Sequence, residues 1–163
     1  MIARPHGFTT TDLLVTLTTV GLLAALAVPR LERWVRHERL RAAANRLVTD
    51  MQLARMQAVG LGRPVAVRFL PEAGTACAAV EPFRAYRGYV VERRGPDGAW
   101  IPVAAATDLL FPGVCLRKNG PSAIVFDGRG LPAGVYATTV RFEADGFAIE
   151  VVVSALGRVR RGP

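Results

Sequence analysis

Hydrophobic residues are most concentrated near the start of the chain, where the uncharged apolar run Leu13–Val28 lies. Counted from Phe8, this segment has about 21 residues, or about 31 Å as an α-helix, enough to cross the hydrocarbon core of a bilayer. Arg4 precedes the run and Arg30 follows it. The pattern predicts one membrane-spanning helix over residues 8–29.

A helical period continues after the apolar run, over residues 30–62. Apolar residues recur there every three or four positions and form one stripe, while most charged residues fall on other faces. Gly60, Gly62 and Pro64 supply a helix stop signal. We therefore expect one helix that runs from the membrane into a globular head, kinks at Pro29 and packs its stripe on that head. The stripe consists of Leu40, Ala43, Ala44, Leu47, Val48, Met51, Ala54, Ala58 and Leu61.

After Pro64 the period of the hydrophobic pattern changes to two, which is typical of half-buried β-strands. The Asp145-Gly146 turn joins the last two predicted strands as a hairpin, and the longest predicted loop covers Pro71–Arg87. The expected fold class is α+β, with a long N-terminal helix packed on an antiparallel, sandwich-like β-head. The predicted strands are Val65–Phe69, Tyr89–Arg93, Trp100–Val103, Ser122–Phe126, Thr139–Phe142 and Ala148–Val153.

The N-terminus allows three interpretations: a secretory signal cut after Ala25–Ala27, a plain membrane anchor, or a prepilin signal. A prepilin is cut before its apolar segment, here between Gly7 and Phe8, and keeps the helix. Asp12 lies five places into the mature chain, at the edge of the apolar span, where a carboxylate is costly unless paired. The segment Gly7–Val15 therefore resembles the type IV prepilin motif, which accounts for more residues than the other two interpretations.

This resemblance assigns roles to residues near the cleavage site. It implies that Phe8 becomes N-methylated, and that Asp12 pairs with the N-terminal amine of a neighbouring subunit during assembly. Asp12 departs from the Glu that pilins normally carry at this place, and its side chain is shorter. The resemblance divides the chain into a leader at 1–7, a transmembrane and assembly helix at 8–29, an amphipathic helix at 30–62 and a head at 63–163.

Other segments narrow the resemblance. The chain has a pilin-type start at Gly7–Pro29, a strand opening at Arg63–Val67, the segment Ile124–Gly130 and a strand ending with Gly157–Arg160. Together they resemble the GspH/FimT group, which contains minor pseudopilins of type II secretion and minor pilins of type IV pili. The similarity is specific at the two ends of the chain and diffuse between Gly74 and Pro121.

The chain is basic, with a formal net charge of +8, and arginine supplies nearly all the positive charge because Lys118 is the only lysine. Guanidinium groups match phosphate oxygens in geometry, so the charge favours a polyanionic partner. A genomic composition bias that replaces lysine with arginine explains the same charge equally simply.

Arginines also cluster at the C-terminus, at Arg158, Arg160 and Arg161. If the strand continues, Arg158 and Arg160 point to one face about 6.6 Å apart, a spacing that suits adjacent phosphates. Gly157 lets the chain leave the sheet. The Gly-Arg-x-Arg pattern resembles the C-terminal motif through which FimT-type pilins bind DNA, and this implies that Arg158 and Arg160 contact DNA, with Arg161 as an addition.

Three further basic residues, Arg117, Lys118 and Arg129, are expected near loop ends, where they would extend this patch. Two other interpretations of the C-terminal arginines remain open. They form a solvated basic segment, or Arg158 pairs with a neighbouring subunit in a secretion pseudopilus.

The remaining reactive side chains indicate neither an enzyme nor a metal site. Cys77 and Cys115 form a disulfide or stay as two buried thiols, and their spacing excludes a CxxC motif. The histidines are His6, in the presumed leader, and His37, on the helix. No nucleophile or metal motif accompanies them, so we expect no catalysis, metal or cofactor.

Two functions follow from the resemblance. In one, the protein is a minor subunit of a type IV filament that captures double-stranded DNA for natural transformation. In the other, it is a minor pseudopilin of a type II secretion system and binds no DNA. Both imply a single-pass inner-membrane protein whose head lies outside the cytoplasm before it enters a filament. The implied partners are a prepilin peptidase, an inner-membrane assembly platform and other pilins or pseudopilins.

Overall fold

The computed structural model describes residues 9–72, 77, 80–103, 113–134 and 137–162. Two compact units make up the chain, residues 1–36 and residues 37–163. The helix α1 (Thr10–Leu61) contributes to both units. The predicted leader at residues 1–7 lies outside the described residues.

The first unit holds the apolar part of α1. Within the described residues, α1 is the one helix long and apolar enough to cross a membrane, with a mean hydropathy of 1.9 in its most apolar stretch. None of that stretch is buried against protein. α1 is continuous through Pro29, and a kink there stays a prediction.

Threonine hydroxyls in this apolar stretch are satisfied within the helix. Thr16 donates to the carbonyl oxygen of Asp12 at 2.9 Å, and Thr18 donates to that of Leu14 at 2.9 Å. Thr19 donates to the carbonyl of Val15. Because these hydroxyls need no partner outside the helix, they reduce the cost of placing polar side chains in an apolar medium.

The second unit buries the helical stripe against the sheet. Every predicted stripe residue from Leu40 to Ala58 is fully buried except Val48, which is partly buried. Leu61 is the exception, with 50% of its surface exposed. It is the last residue of α1, and the chain turns away at Gly62, whose φ is 58°. The four alanines of the stripe allow the helix to lie close to the sheet.

The described residues form eight strands in one antiparallel sheet, with order β5-β1-β2-β4-β6-β7-β8 and with β3 paired to β2. The predicted α+β class is confirmed. All eight strands belong to one hydrogen-bonded sheet. The second half of α1 packs on the inner face of this sheet and forms the second layer of the head. The strands are β1 (Val65–Pro71), β2 (Phe83–Arg94), β3 (Trp100–Pro102), β4 (Cys115–Asn119), β5 (Ala123–Phe126), β6 (Thr138–Ala144), β7 (Phe147–Val153) and β8 (Val159–Arg161).

Three parts of the sheet differ from the prediction. β2 begins at Phe83, inside the segment predicted as a loop. β4 was not predicted, because its inward positions are Leu116 and Lys118 and a lysine there hides the apolar alternation. The last strand does not continue beyond Val153. It turns and returns as β8, which pairs with β7 at the edge of the sheet.

A disulfide joins Cys77 to Cys115 at the start of β4, with the two Cα atoms 5.5 Å apart. Of the two states that the sequence left open, the structure therefore has the bridge. It connects positions 38 residues apart and ties Cys77 to the sheet.

Candidate functional site

A tight turn connects β7 to β8 and carries the first C-terminal arginine. We call residues Ser154–Arg158 the C-terminal turn. Within it, Ser154 N donates to Arg158 O and Gly157 N donates to Ser154 O, both at 2.9 Å. The hydroxyl oxygen of Ser154 accepts a further hydrogen bond from Arg158 N at 3.1 Å. These contacts fix the position of the Arg158 backbone immediately before β8 begins.

Gly157 is required at this turn for two reasons. Its φ is 75°, a conformation that disfavours residues with a Cβ atom. A Cβ on Gly157 would also lie 2.7 Å from the carbonyl oxygen of Gly130. The C-terminal turn therefore packs directly on the Asp127–Gly130 turn, and two motifs that the sequence showed separately meet in space.

Both turns rest on Arg55 of α1. A Cβ on Gly130 would lie 3.2 Å from the Cγ and Nε atoms of Arg55, and one on Gly157 would lie 3.5 Å from the same Nε atom. Nη1 of Arg55 donates to the carbonyl oxygen of Gly157 at 3.3 Å. In the sequence, Arg55 is one of the charged residues of the helix that lie outside the apolar stripe. Its partner lies 102 residues away, so no local signal identifies it.

Arg55, Arg158 and Arg160 line one groove of about 620 Å³, which we call the arginine groove. No carboxylate is among its described lining residues, so its positive charge is not neutralised from within. The apolar lining includes Leu156, which is 76% exposed. The groove thus combines guanidinium groups with apolar surface, and it suits an anionic ligand with an apolar portion. The other lining residues are Ala137, Val152 and Ser154.

The three C-terminal arginines that the sequence grouped together do not all lie in the arginine groove. Arg158 and Arg160 line the same groove. The prediction placed both on one continued strand, whereas Arg158 lies at the end of the C-terminal turn and Arg160 lies on β8. Arg161 does not line this groove. Its Nη1 donates to Oδ1 of Asn45 on α1 at 3.3 Å. Neighbouring residues of a strand point to opposite faces, and this accounts for the division.

The prediction that Lys118 extends the basic patch is wrong. This lysine is fully buried, and its Nζ donates to the carbonyl oxygens of Asn119, at 2.8 Å, and Pro121. Its ammonium also lies 5.5 Å from the ring centroid of Phe69. Lys118 occupies an inward position of β4, so it supports the turn that follows β4 from inside the core.

The two remaining basic residues have carboxylate partners. Arg117 is mostly buried and forms an ion pair with Glu143. Arg129 is 81% exposed and lies 3.0 Å from Oδ2 of Asp127 in the same turn. Backbone hydrogen bonds from Leu131 and Arg129, together with the Arg129 guanidinium, hold the pKa of Asp127 below its usual range. The Asp127 carboxylate therefore stays ionised and offsets the charge of Arg129.

At the other end of the chain, Asp12 lies in the first turn of α1. Thr9 N and Oγ1 donate to Oδ2 of Asp12 at 3.1 and 2.7 Å. Asp12 N in turn donates to Oγ1 of Thr9 at 3.3 Å. This reciprocal arrangement is a capping box that holds the exposed carboxylate at the helix start. Gly7 and Phe8 lie outside the described residues.

Within the described residues, no group of three or more His, Cys, Asp or Glu side chains could hold a metal ion. His37 packs against Phe147, with ring centroids 5.3 Å apart. The described contact of His37 is therefore a packing contact with an aromatic ring.

An N-terminal helix with an apolar first part, whose second part packs on an antiparallel sheet, defines a type IV pilin-like protein. Residues 43–157 match the family described as type II transport protein GspH, and the chain belongs to this family. No curated protein sequence matches the chain.

Solved structures of two such proteins share the fold. The type IV minor pilin FimU of Pseudomonas aeruginosa is 17% identical, with a TM-score of 0.60 over 80% of this chain and 92% of FimU. The minor pseudopilin EpsH from the type 2 secretion system of Vibrio cholerae is 15% identical, with a TM-score of 0.57 over 76% of this chain and 96% of EpsH.

The chain is therefore a pilin-like structural subunit of the type IV filament or type II secretion class. Such a subunit assembles with other pilins. Its apolar N-terminal helix fits a membrane-anchored protein whose head lies outside the cytoplasm.

Proposed function

We propose that this protein is a minor pilin that captures double-stranded DNA through the arginine groove, for uptake in natural transformation. The observation that carries the proposal is that Arg158 and Arg160 line one groove with Arg55, without a carboxylate among the described lining residues. Guanidinium groups there can contact successive phosphates of a DNA backbone.

The expected binding is weak and independent of sequence. Three phosphate contacts give a slope of about −2.7 in a plot of log affinity against log salt concentration. The proposed contacts are with backbone phosphates, which carry no sequence information. Such binding suits a subunit that captures DNA of any sequence.

The test is a titration of short duplex DNA with the head, at several salt concentrations. A head that begins at His37 holds all the described core residues, from Leu40 to Val159, so it is expected to fold without the apolar helix. The variant Arg158→Ala/Arg160→Ala should lose most of the affinity and reduce the salt slope by about 2.

A matched control removes the same charge elsewhere. Arg87 and Arg93 are exposed on β2, which lies four strand positions from β8, or about 19 Å across the sheet. The variant Arg87→Ala/Arg93→Ala should keep nearly all the affinity. Equal losses in both double variants would indicate only a net-charge effect and would refute the groove as the binding site.

The second candidate is a minor pseudopilin of a type II secretion system. The description of the matched family as a type II transport protein favours it, and so does the structural similarity to EpsH. A wild-type head that binds no duplex DNA at low salt would make this the better assignment. In that case Arg158 and Arg160 would be tested as contacts with neighbouring pseudopilins.

Processing and assembly belong to both candidates. A prepilin peptidase would cut between Gly7 and Phe8, Phe8 would become N-methylated, and an inner-membrane platform would insert the subunit into the filament. The exposed carboxylate of Asp12 supports its role as the partner of a neighbouring N-terminal amine. Asp12→Asn should abolish incorporation into filaments and leave cleavage intact, whereas Asp12→Glu should retain incorporation, as measured in sheared filaments.

A further inference from the structure

Arg55 lies on α1 and contacts both the Asp127–Gly130 turn and the C-terminal turn. Its side chain is half-buried, and its Nη1 holds the carbonyl oxygen of Gly157 at 3.3 Å. A Cβ on Gly130 would lie 2.9 Å from Cγ2 of Val59 and 3.2 Å from Cγ and Nε of Arg55, so both side chains pack closely on this glycine. Arg55 is thus the part of the helix on which the C-terminal turn rests.

The contact of Arg55 differs from those of the head arginines that form ion pairs. Among the described residues Arg55 makes no ion pair, whereas Arg68, Arg129 and Arg141 each have a carboxylate partner. A hydrogen bond to a backbone carbonyl leaves the charge of the guanidinium uncompensated. Arg55 can therefore hold the turn and contribute positive potential to the arginine groove at once.

We infer that Arg55 is the positioning residue of the arginine groove. By holding the Gly157 carbonyl it fixes the C-terminal turn, and this turn sets the direction in which Arg158 and Arg160 enter the groove. The consequence for DNA binding rests on the proposed function. The effect on the turn does not, so the two can be tested apart.

The first measurement is amide hydrogen exchange of the head in Arg55→Gln. The amides of Ser154, Gly157 and Arg158 donate the hydrogen bonds that define the turn. Loss of the Arg55 contact should accelerate their exchange by tenfold or more and leave the β6 amides unchanged. Arg39→Gln is the matched control, because Arg39 is an exposed arginine of the same helix.

The second measurement is duplex DNA affinity of the same variants. We expect Arg55→Gln to weaken binding about as much as Arg158→Ala/Arg160→Ala, and Arg39→Gln to have little effect. Arg55→Lys separates charge from geometry, because it keeps the charge and loses the planar guanidinium that reaches Gly157. A positioning role requires that Arg55→Lys also accelerates exchange in the turn and weakens binding at least threefold.

Gly157→Ala provides a second route if Arg55→Gln does not fold. An added Cβ would displace the same turn from Gly130 O without changing any charge. It should reproduce both the faster exchange and the weaker binding.

The outcomes separate the inference from the proposed function. Unchanged exchange in the turn of folded Arg55→Gln overturns the inference, whatever happens to DNA. Faster exchange in a head whose wild type binds no DNA supports Arg55 as the residue that fixes the turn and overturns the proposed function. Faster exchange with wild-type affinity in Arg55→Gln overturns its role in positioning the groove for DNA.

Discussion

The phenol oxygen of Tyr89 lies 2.5 Å from Oδ2 of Asp50 and donates a hydrogen bond that joins the middle of the sheet to α1. Tyr89 is fully buried, and Asp50 also lies 3.7 Å from Nε of Arg46. Burial, followed by the hydrogen bond to Asp50 and its negative charge, raises the pKa of Tyr89 well above its ordinary value. The protonated phenol therefore links α1 to the sheet by a hydrogen bond within a mainly apolar core.

Removal of this link should destabilise the head. Tyr89→Phe keeps the ring and loses one hydrogen bond to a charged group, so the free energy of unfolding should fall by about 1.5–3 kcal/mol. Urea unfolding of the head measures it. Tyr86→Phe, on the same strand, is the control, because no described hydrogen bond involves the Tyr86 hydroxyl. Equal losses in the two variants would contradict a special role for the Asp50 contact.

The same contact predicts a loss of stability in alkali. An unfolded tyrosine ionises near pH 10, whereas the raised pKa keeps folded Tyr89 protonated. The contribution of Tyr89 is therefore complete below about pH 10 and is lost as the pH rises further. Unfolding measured from pH 9 to 11.5 should show this decline in the wild type and a weaker decline in Tyr89→Phe. Parallel curves would argue against it.

Burial of Lys118 predicts that the stability of the head rises with pH in the range just below pH 10. Burial lowers the pKa of Lys118 to about 8, whereas an unfolded lysine titrates near 10.4. Between these values the unfolded chain binds more protons than the folded chain, so the free energy of unfolding should rise with pH, and this gain is lost as the pH falls through about 8. Lys118→Met should abolish the rise. The comparison uses the pH slope of each protein, so a lower overall stability of the variant does not affect it.

The disulfide should stabilise the head because it closes a loop and so restricts the conformations of the unfolded chain. Its two cysteines are 38 residues apart, and a bridge over such a loop contributes about 3–4 kcal/mol. Reduction of the wild type should lower the urea midpoint to that of Cys77→Ser/Cys115→Ser. The double variant serves as the control, because a reductant should not change it. Identical midpoints for the oxidised and reduced wild type would show that the bridge contributes nothing.

Cleavage should occur immediately before the apolar helix. In cells with a prepilin peptidase, intact-mass analysis should find a mature chain that begins with Phe8 and carries one added methyl group. Gly7→Val should accumulate as the uncut precursor. Gly21→Ala is a matched control, since no atoms lie within 4 Å of an added Cβ at Gly21. A mature chain that begins after Ala27 would instead identify an ordinary secretory signal.

The elements predicted well are those that depend on neighbours in sequence. The helical stripe from Leu40 to Ala58 follows a local period, and its burial matches the prediction. The hairpin of β6 and β7 was marked by alternation and by the Asp145-Gly146 turn, where Asp145 has a φ of 48°. Local conformation and one-sided burial determine both features, and both can be read from short stretches of chain.

The elements that were missed depend on distant partners. β4 has a lysine at an inward position, and only its neighbours β2 and β6 make that position part of a sheet. The sequence left open whether the strand continues beyond Val153. The chain turns back there and forms β8, and the Gly157 turn packs on Gly130, which belongs to another segment of the chain. Alternation alone cannot distinguish a strand that continues from one that turns back.

By itself, the sequence determined the apolar N-terminal helix, the buried stripe of its second half, the α+β class and the resemblance to pilin-like proteins. These follow from hydrophobic period and local motifs. Only the tertiary structure decided that Lys118 lies in the core, that Arg161 faces Asn45 and that Arg55 joins Arg158 and Arg160 in one groove. The reason is physical: the Arg55–Gly157 contact spans 102 residues, and only the folded path of the chain brings such residues together.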